Sequence, residues 1–176
     1  GRRLAISCFL ADGNAVPPTW GLLVFDVEKA TVDLIIHGPS WCNMHPQYTR
    51  SSVPADVHDI LIQENHGNEA DRQGRIAKLT GGTGADIHLI RDDGTDLRTM
   101  PWGRDGTEYC QGHQCWRGRS SWAITSTSTR LETGHEAQLI ESQAVVGEGH
   151  LGARTPGAAR NDLTRDVANP HFHQIG

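Results

Sequence analysis

Apolar residues in this chain occur in short runs separated by polar turns, a pattern that predicts β-strands rather than long helices. Residues 20–36 read as a strand, a polar turn at 28–30 and a second strand, which together form a β-hairpin. Residues 89–100 repeat this plan around a stronger Asp93–Gly94 turn. Further strands are predicted over residues 59–67 and 121–127, and a short helix or strand near 76–79. Residues 147–166 are rich in Gly, Arg and Asn and predict a long loop, which is often functional in compact domains.

A polar, histidine-bearing segment follows each hairpin. The first is W-C-N-M-H-P-Q-Y at residues 41–48, and the second is Y-C-Q-G-H-Q-C-W at 109–116, so His45 and His113 occupy equivalent places. A third such segment, N-P-H-F-H-Q-I-G, lies at residues 169–176. Repeats of this kind predict a β-propeller, in which small antiparallel sheets surround a central channel.

The predicted fold is therefore all-β, a β-propeller present as a partial arc of about three blades, against about four to eight in closed propellers. Residues 1–176 are expected to form one domain without an internal boundary. Because an open arc leaves strand edges unpaired and core surface exposed, we expect the chain to self-associate or to be marginally stable.

Composition and charge narrow the possible partners. The formal net charge of −5 and the pI of about 6.0 give no reason to expect nucleic acid or an anionic membrane as partner. No apolar run approaches the roughly 20 residues that cross a bilayer, and no signal-peptide pattern opens the chain. A cytoplasmic location is the resulting expectation, with a signal peptide further upstream as the open alternative. The 4 cysteines are expected to be reduced thiols.

Residues 108–118, E-Y-C-Q-G-H-Q-C-W-R-G, carry the strongest candidate chemistry. In a regular strand, alternation points His113 and Arg117 to the same side, which would deliver both into one polar pocket. The alternative is a structural histidine beside a packed Trp116. The C-x-x-H-x-C spacing of this segment lacks a second ligand pair, so a structural zinc site is disfavoured.

Four segments taken in order, W-C-N-M-H-P-Q-Y, Q-E-N-H-G, I-R-D-D-G-T and E-Y-C-Q-G-H-Q-C-W, resemble the oligogalacturonate lyase family. Members of that family degrade pectin and are β-propellers of about seven blades, related to the TolB-type propellers. The resemblance extends over most of the chain from about residue 20 onward, and identity is concentrated in these motifs. It implies that the chain is part of a longer propeller and that this part alone is inactive.

The resemblance implies roles for particular residues. His113 matches the family's catalytic histidine, and His173 matches the first of its metal-binding histidines. The remaining ligands, a glutamine and further histidines, would lie beyond residue 176. The family's catalytic arginine aligns with Asp86 or Ile87, and neither side chain can replace it. The positive charge could come instead from one of four nearby arginines: Arg91, Arg104, Arg117 or Arg119.

The candidate substrate-binding residues are three histidines and one arginine: His45, His66, Arg117 and His150. The repeat brings His45 to the pocket, the end of an apolar strand brings His66, alternation with His113 brings Arg117, and the long loop brings His150. The alternatives are a hydrogen-bonded histidine before Pro46 for His45 and a turn cap for His66. His171 competes with His173 for the metal role. Surface or packing positions are expected for the remaining four: His37, His58, His88 and His135.

The function that these residues and the resemblance imply is metal-dependent β-elimination of short uronate oligosaccharides. A neutral histidine is suited to take the proton beside the sugar carboxylate, and a metal ion or an arginine stabilises the developing charge. Histidine with glutamine or carboxylate oxygens suits manganese or another divalent first-row ion better than calcium, and manganese is the expected cofactor. Two alternatives stay open: a TolB-like propeller that binds carbohydrate or protein without catalysis, and a hydrolase acting on another acidic sugar.

Overall fold

The computed structural model describes residues 1–10, 17–80, 84–100, 108–131, 134–143, 147–148, 154–155 and 160–162. Within these ranges all helices and strands assigned are β-strands, fifteen in number, which confirms the all-β prediction. Three larger antiparallel sheets and two small ribbons account for the fifteen strands. No helix in the described part of the chain is long and apolar enough to span a membrane.

The first sheet contains β1 (Arg3–Phe9), β2 (Trp20–Asp26) and β3 (Thr31–Gly38) in that order. Strands β2 and β3 form the predicted hairpin. Its turn is fixed by the Asp26 carboxylate, which accepts hydrogen bonds from the backbone N–H groups of Glu28 and Lys29. These bonds lower the pKa of Asp26, the Lys29 bond being the largest cause.

The second sheet has the order β4 (Gln47–Tyr48), β5 (Asp59–Asn65), β8 (Ala85–Arg91) and β9 (Arg98–Thr99). The predicted Asp93–Gly94 turn joins β8 to β9, and Gly94 adopts the positive φ of 82° that such turns require. Between β5 and β8 the chain forms a ribbon of β6 (Glu69–Ala70) and β7 (Ile76–Lys78), so the segment near residue 76 is a strand.

The third sheet has the order β10 (Glu108–Trp116), β11 (Trp122–Leu131), β12 (Gly134–Gln143) and β15 (Arg160–Asp162). A second ribbon pairs β13 (Gly147–Glu148) with β14 (Arg154–Thr155). Strand β10 is irregular, because its register with β11 shifts on both sides of Gly112. This irregularity positions the first candidate site described below.

Period-2 alternation in β5 and β8 builds a core on each face of the second sheet. Ile60, Ile62 and Ile90 pack with Trp20, Leu22 and Val24 of the first sheet. The residues between them, Leu61, Ile87 and Leu89, pack with Cys110 and Ala123 of the third sheet. The three sheets are thus stacked face to face in an open series. Their arrangement as about three blades of a propeller stays a prediction.

The far face of the first sheet carries apolar residues that remain exposed. Leu4 and Val32 flank Phe25 in one row across the strands, and Ile6 and Leu34 flank Leu23 in the next. Leu4 and Val32 are each about half exposed, at 51% and 52%. The opposite face of the same sheet is buried against the second sheet. The outer face therefore has the composition of a surface that packs against another layer.

All four cysteines are free thiols, as expected. Cys42 and Cys110 are buried in the two cores. Burial raises the pKa of Cys42 and of Cys115, which keeps both as neutral thiols near pH 7.

Candidate functional site

Two histidines that are far apart in the sequence meet at the junction of the second and third sheets. His45 lies in the loop before β4, and His113 lies in the irregular part of β10. Their ring centroids are 6.0 Å apart, with an angle of 49° between the rings. His45 is half-buried and His113 is exposed. The structure therefore brings together the two residues that the sequence repeat had placed in equivalent positions.

Both histidines adopt a backbone conformation that side-chain-bearing residues rarely occupy. The φ angles are 49° at His45 and 57° at His113, and Gly112 has a φ of 80°. A non-glycine residue in this region costs on the order of 1–2 kcal/mol and is frequently found at functional sites. The regular strand expected through His113 is therefore wrong: the bulge breaks the alternation, and β10 ends at Trp116, before Arg117.

A buried polar layer holds the two histidine-bearing segments in place. The Oε1 atom of Gln63 accepts a hydrogen bond of 3.3 Å from the backbone N–H of His113. The Nε2 of Gln114 donates to the carbonyls of Met44 and His45, at 3.2 Å in each case. Because Gln63 and Gln114 are almost fully buried, at 3% and 0% exposure, the approach of the two rings is fixed by the core.

Gly112 is required for this contact. A Cβ atom at that position would lie 2.1 Å from Oε1 of Gln63, well inside contact distance. The hydroxyl of Thr125 donates to the Gly112 carbonyl at 2.7 Å and closes the bulge from the β11 side.

The surroundings of the pair favour the neutral form of the His45 imidazole. Burial, and to a smaller degree the neighbouring His113, lower the pKa of His45 below its ordinary value. A neutral imidazole near pH 7 can accept a proton. The pair can therefore act as a general base from one ring, with the second ring as hydrogen-bonding partner for a substrate.

A second cluster lies on the face of the second sheet that packs against the first. Glu64 and Asp86 are direct cross-strand partners, and His88 is the next residue on that face of β8. One ligand atom from each of these three residues lies within 4.8 Å of the others, so they could hold a metal ion. The Nε2 of His88 is 3.0 Å from Oε2 of Glu64. The Nε2 of His66 is 3.1 Å from Oδ2 of Asp86 and 3.4 Å from Oε2 of Glu64.

Surrounding side chains orient this cluster. The hydroxyl of Ser40 donates to Oε1 of Glu64. The other ring nitrogen of His88, Nδ1, is 3.0 Å from Oγ1 of Thr99. Burial alone would raise the pKa of Glu64, but its hydrogen bonds with His88 and Ser40 outweigh burial and lower it. The carboxylate is therefore ionised at neutral pH.

A cavity of about 440 Å³ lies beside the beginning of the chain, between β1 and the second sheet. Its charges are already paired: Asp92 contacts both Arg3 and His58, the latter at 3.0 Å. Burial first, and then Asp92, raise the pKa of the Tyr48 phenol that lines the same cavity. His58, expected at the surface or in packing, is thus in hydrogen-bond contact with Asp92.

The predicted site residues fall into three sets in the structure. His45 and His113 are in contact. His66 lies on the Glu64–Asp86 cluster instead, and Arg117 is exposed in the turn after β10. His150 and His173 lie outside the described residues, as do Arg104 and His171, so their roles stay predictions.

Sequence reasoning missed the carboxylate cluster. The sequence analysis predicts no role for Glu64, places His88 at the surface or in packing, and treats Asp86 only as the residue that aligns with the lyase family's arginine. The available signal is Glu64 near the end of β5 with His66 two residues later, and Asp86 with His88 two residues later in β8. The antiparallel register then places Glu64 opposite Asp86.

Comparison with known proteins gives a likeness of fold. The stacked antiparallel sheets define an all-β protein. One solved structure, an oligogalacturonate lyase in complex with manganese, matches 81% of this chain with a TM-score of 0.53 and 16% sequence identity. The chain spans 36% of the length of that lyase. No family model matches the sequence, and no curated protein matches it.

Proposed function

We propose that this chain is part of a metal-dependent lyase that cleaves short uronate oligosaccharides by β-elimination. The observation that carries the proposal is the contact between His45 and His113, held in left-handed backbone conformations by a buried glutamine layer. The likeness in fold to an oligogalacturonate lyase supports the same reading.

In this proposal His113 is the general base. Its exposed ring takes the proton from C5, beside the uronate carboxylate. The electrons of that C–H bond form the C4–C5 double bond as the bond from C4 to the sugar oxygen breaks, and the leaving oxygen takes a proton from solvent. The neutral His45 accepts or donates a hydrogen bond at the edge of the same pocket, and Arg117 binds a substrate carboxylate. His173 would be among the residues that hold a manganese ion, which when bound would supply positive charge to stabilise the developing negative charge. The substrate partner is an acidic oligosaccharide and the location is cytoplasmic.

The test is an elimination assay on the protein in its longest expressed form. Oligogalacturonides with manganese should yield the ultraviolet absorbance of an unsaturated uronate. His113→Asn should abolish this signal, because asparagine tolerates positive φ but is not a base near neutral pH. The matched control is His37→Asn, which changes an exposed histidine on β3. Full turnover in His113→Asn would end the catalytic assignment.

The alternative function is that of a TolB-like propeller that binds carbohydrate or protein without catalysis. It predicts that oligogalacturonides bind without any product absorbance, and that His113→Asn weakens binding at most. Titration calorimetry on the same two variants distinguishes this outcome from catalysis.

A further inference from the structure

We propose that Glu64, Asp86 and His88, with His66 at the rim, form a binding site for one first-row divalent metal ion. Its ligands are other residues than His173, which the lyase resemblance implies as a metal ligand, and the site goes beyond the proposed lyase function. Glu64 lies in β5, Asp86 and His88 lie in β8, and His66 directly follows β5. One strand pair and the residue after it therefore supply all four side chains.

The donor set selects the class of ion. Two carboxylates and two imidazoles provide mixed oxygen and nitrogen ligands, which favour Mn²⁺ or Zn²⁺ over Mg²⁺ and Ca²⁺, ions that prefer oxygen alone. Bonds of about 2.1 Å place ligand atoms roughly 3–4 Å apart around an ion. Since the three ligand atoms already lie within 4.8 Å of one another, small side-chain adjustments would suffice.

The exposure of the four side chains increases from His88 to His66, so the cluster is closed on the His88 side and open on the His66 side. The side chain of His88 is 6% exposed, that of Glu64 15%, that of Asp86 25% and that of His66 45%. The His88 ring also packs against Trp41, with centroids 5.3 Å apart. An ion would therefore enter from the His66 side and rest against a closed wall.

The partners of the cluster match the supporting shell of a metal site. Ser40 orients Glu64, and Thr99 holds the far nitrogen of His88, which are the contacts that fix a ligand's rotamer and tautomer. The Nε2 atom of His88 lies 3.0 Å from Oε2 of Glu64, and its Nδ1 atom lies 3.0 Å from Oγ1 of Thr99. An ion bound between Nε2 and the Glu64 carboxylate would take the place of their direct contact, while Thr99 keeps its contact with Nδ1.

The experiment measures metal binding and its effect on His88 in the whole chain. Titration calorimetry with Mn²⁺ and with Zn²⁺ should show one ion bound at this site, and Mg²⁺ and Ca²⁺ should not compete. Imidazole ¹H–¹⁵N spectra should show the Nε2 resonance of His88 changing on Zn²⁺ addition, because Nε2 becomes a metal ligand. An unchanged Nε2 resonance of His88 at saturating Zn²⁺, or equal binding of Ca²⁺, would overturn the proposal.

Variants separate this site from other sources of binding. Asp86→Asn, at a partly exposed ligand, should abolish binding, and Ser40→Ala should weaken it by about 10–100-fold, the usual effect of losing a supporting contact. His58→Gln is the matched control, because it alters a histidine–carboxylate pair elsewhere on the second sheet. Circular dichroism checks that each variant folds. Undiminished affinity in Asp86→Asn contradicts the site, as does equal loss in His58→Gln.

Two further variants keep this inference distinct from the proposed lyase function. His113→Asn should leave metal affinity at the cluster unchanged even where it abolishes elimination. If instead His173→Gln removes the ion seen in the His88 spectra while Asp86→Asn retains it, the cluster is not the site.

Discussion

The positive φ of His113 predicts an unusual order of stability among substitutions at that position. His113 has a φ of 57° and an exposed ring, so replacing it removes little packing but changes the cost of the backbone conformation. Alanine pays the left-handed penalty of about 1–2 kcal/mol, and glycine does not. Glycine loses about 0.5–1 kcal/mol through the greater freedom of the unfolded chain. The net expectation is that His113→Gly is more stable than His113→Ala by about 0.5–1 kcal/mol.

Urea unfolding followed by tryptophan fluorescence measures this difference through the transition midpoint. In a chain of this length, about 1 kcal/mol corresponds to a shift in Tm of roughly 2–4 °C. Low protein concentration and a refolding check guard against association through the exposed face of the first sheet.

His37 supplies the matched control for the same pair of substitutions. It lies in β3 and is not among the residues with positive φ, so alanine should be the more stable variant there by about 0.5–1 kcal/mol. The order of glycine and alanine thus inverts between the two positions. If alanine is the more stable variant at both, the left-handed conformation of His113 is refuted, and with it the strained pair on which the proposed base depends.

Three other predictions test the packing and the electrostatics. Gly84→Ala should cost about 2 kcal/mol or more, because the new Cβ would lie 2.5 Å from the Cys110 carbonyl oxygen. Gly118→Ala, with a φ of 56° and nothing within 4 Å, should cost only the backbone penalty of about 1 kcal/mol, and equal losses in urea unfolding would contradict the clash. Arg98→Met should cost up to about 3–5 kcal/mol, because it removes the closest cation, at 2.7 Å, from the buried Asp59 carboxylate and leaves Arg91 farther away at 3.8 Å. A loss below about 1 kcal/mol in thermal unfolding would show that the Arg98–Asp59 pair is unimportant. The lowered pKa of His45 means that the unfolded chain binds more protons below its ordinary pKa of about 6.5, so stability should fall as pH drops through that value. His45→Asn should flatten this part of the stability–pH curve, and an unchanged slope would exclude His45 as the cause.

The local elements of this fold could be predicted from the amino-acid sequence. The hairpin at residues 20–36, the Asp93–Gly94 turn and the strand beginning at Asp59 follow from interactions between near neighbours in the chain. Turn chemistry and period-2 alternation are such local signals, and they were enough to predict an all-β protein with histidines in repeated places.

Which side chains meet depends instead on how the sheets pack in three dimensions. The bulge at Gly112 depends on Gln63 from another sheet, so no pattern within β10 could reveal that His113 leaves the regular pleat. The metal cluster arises because the register of β5 and β8 places Glu64 opposite Asp86, with His88 next to it. Contacts between residues far apart in sequence depend on strand pairing and sheet stacking, and those are set by the packing of the whole core rather than by any one segment.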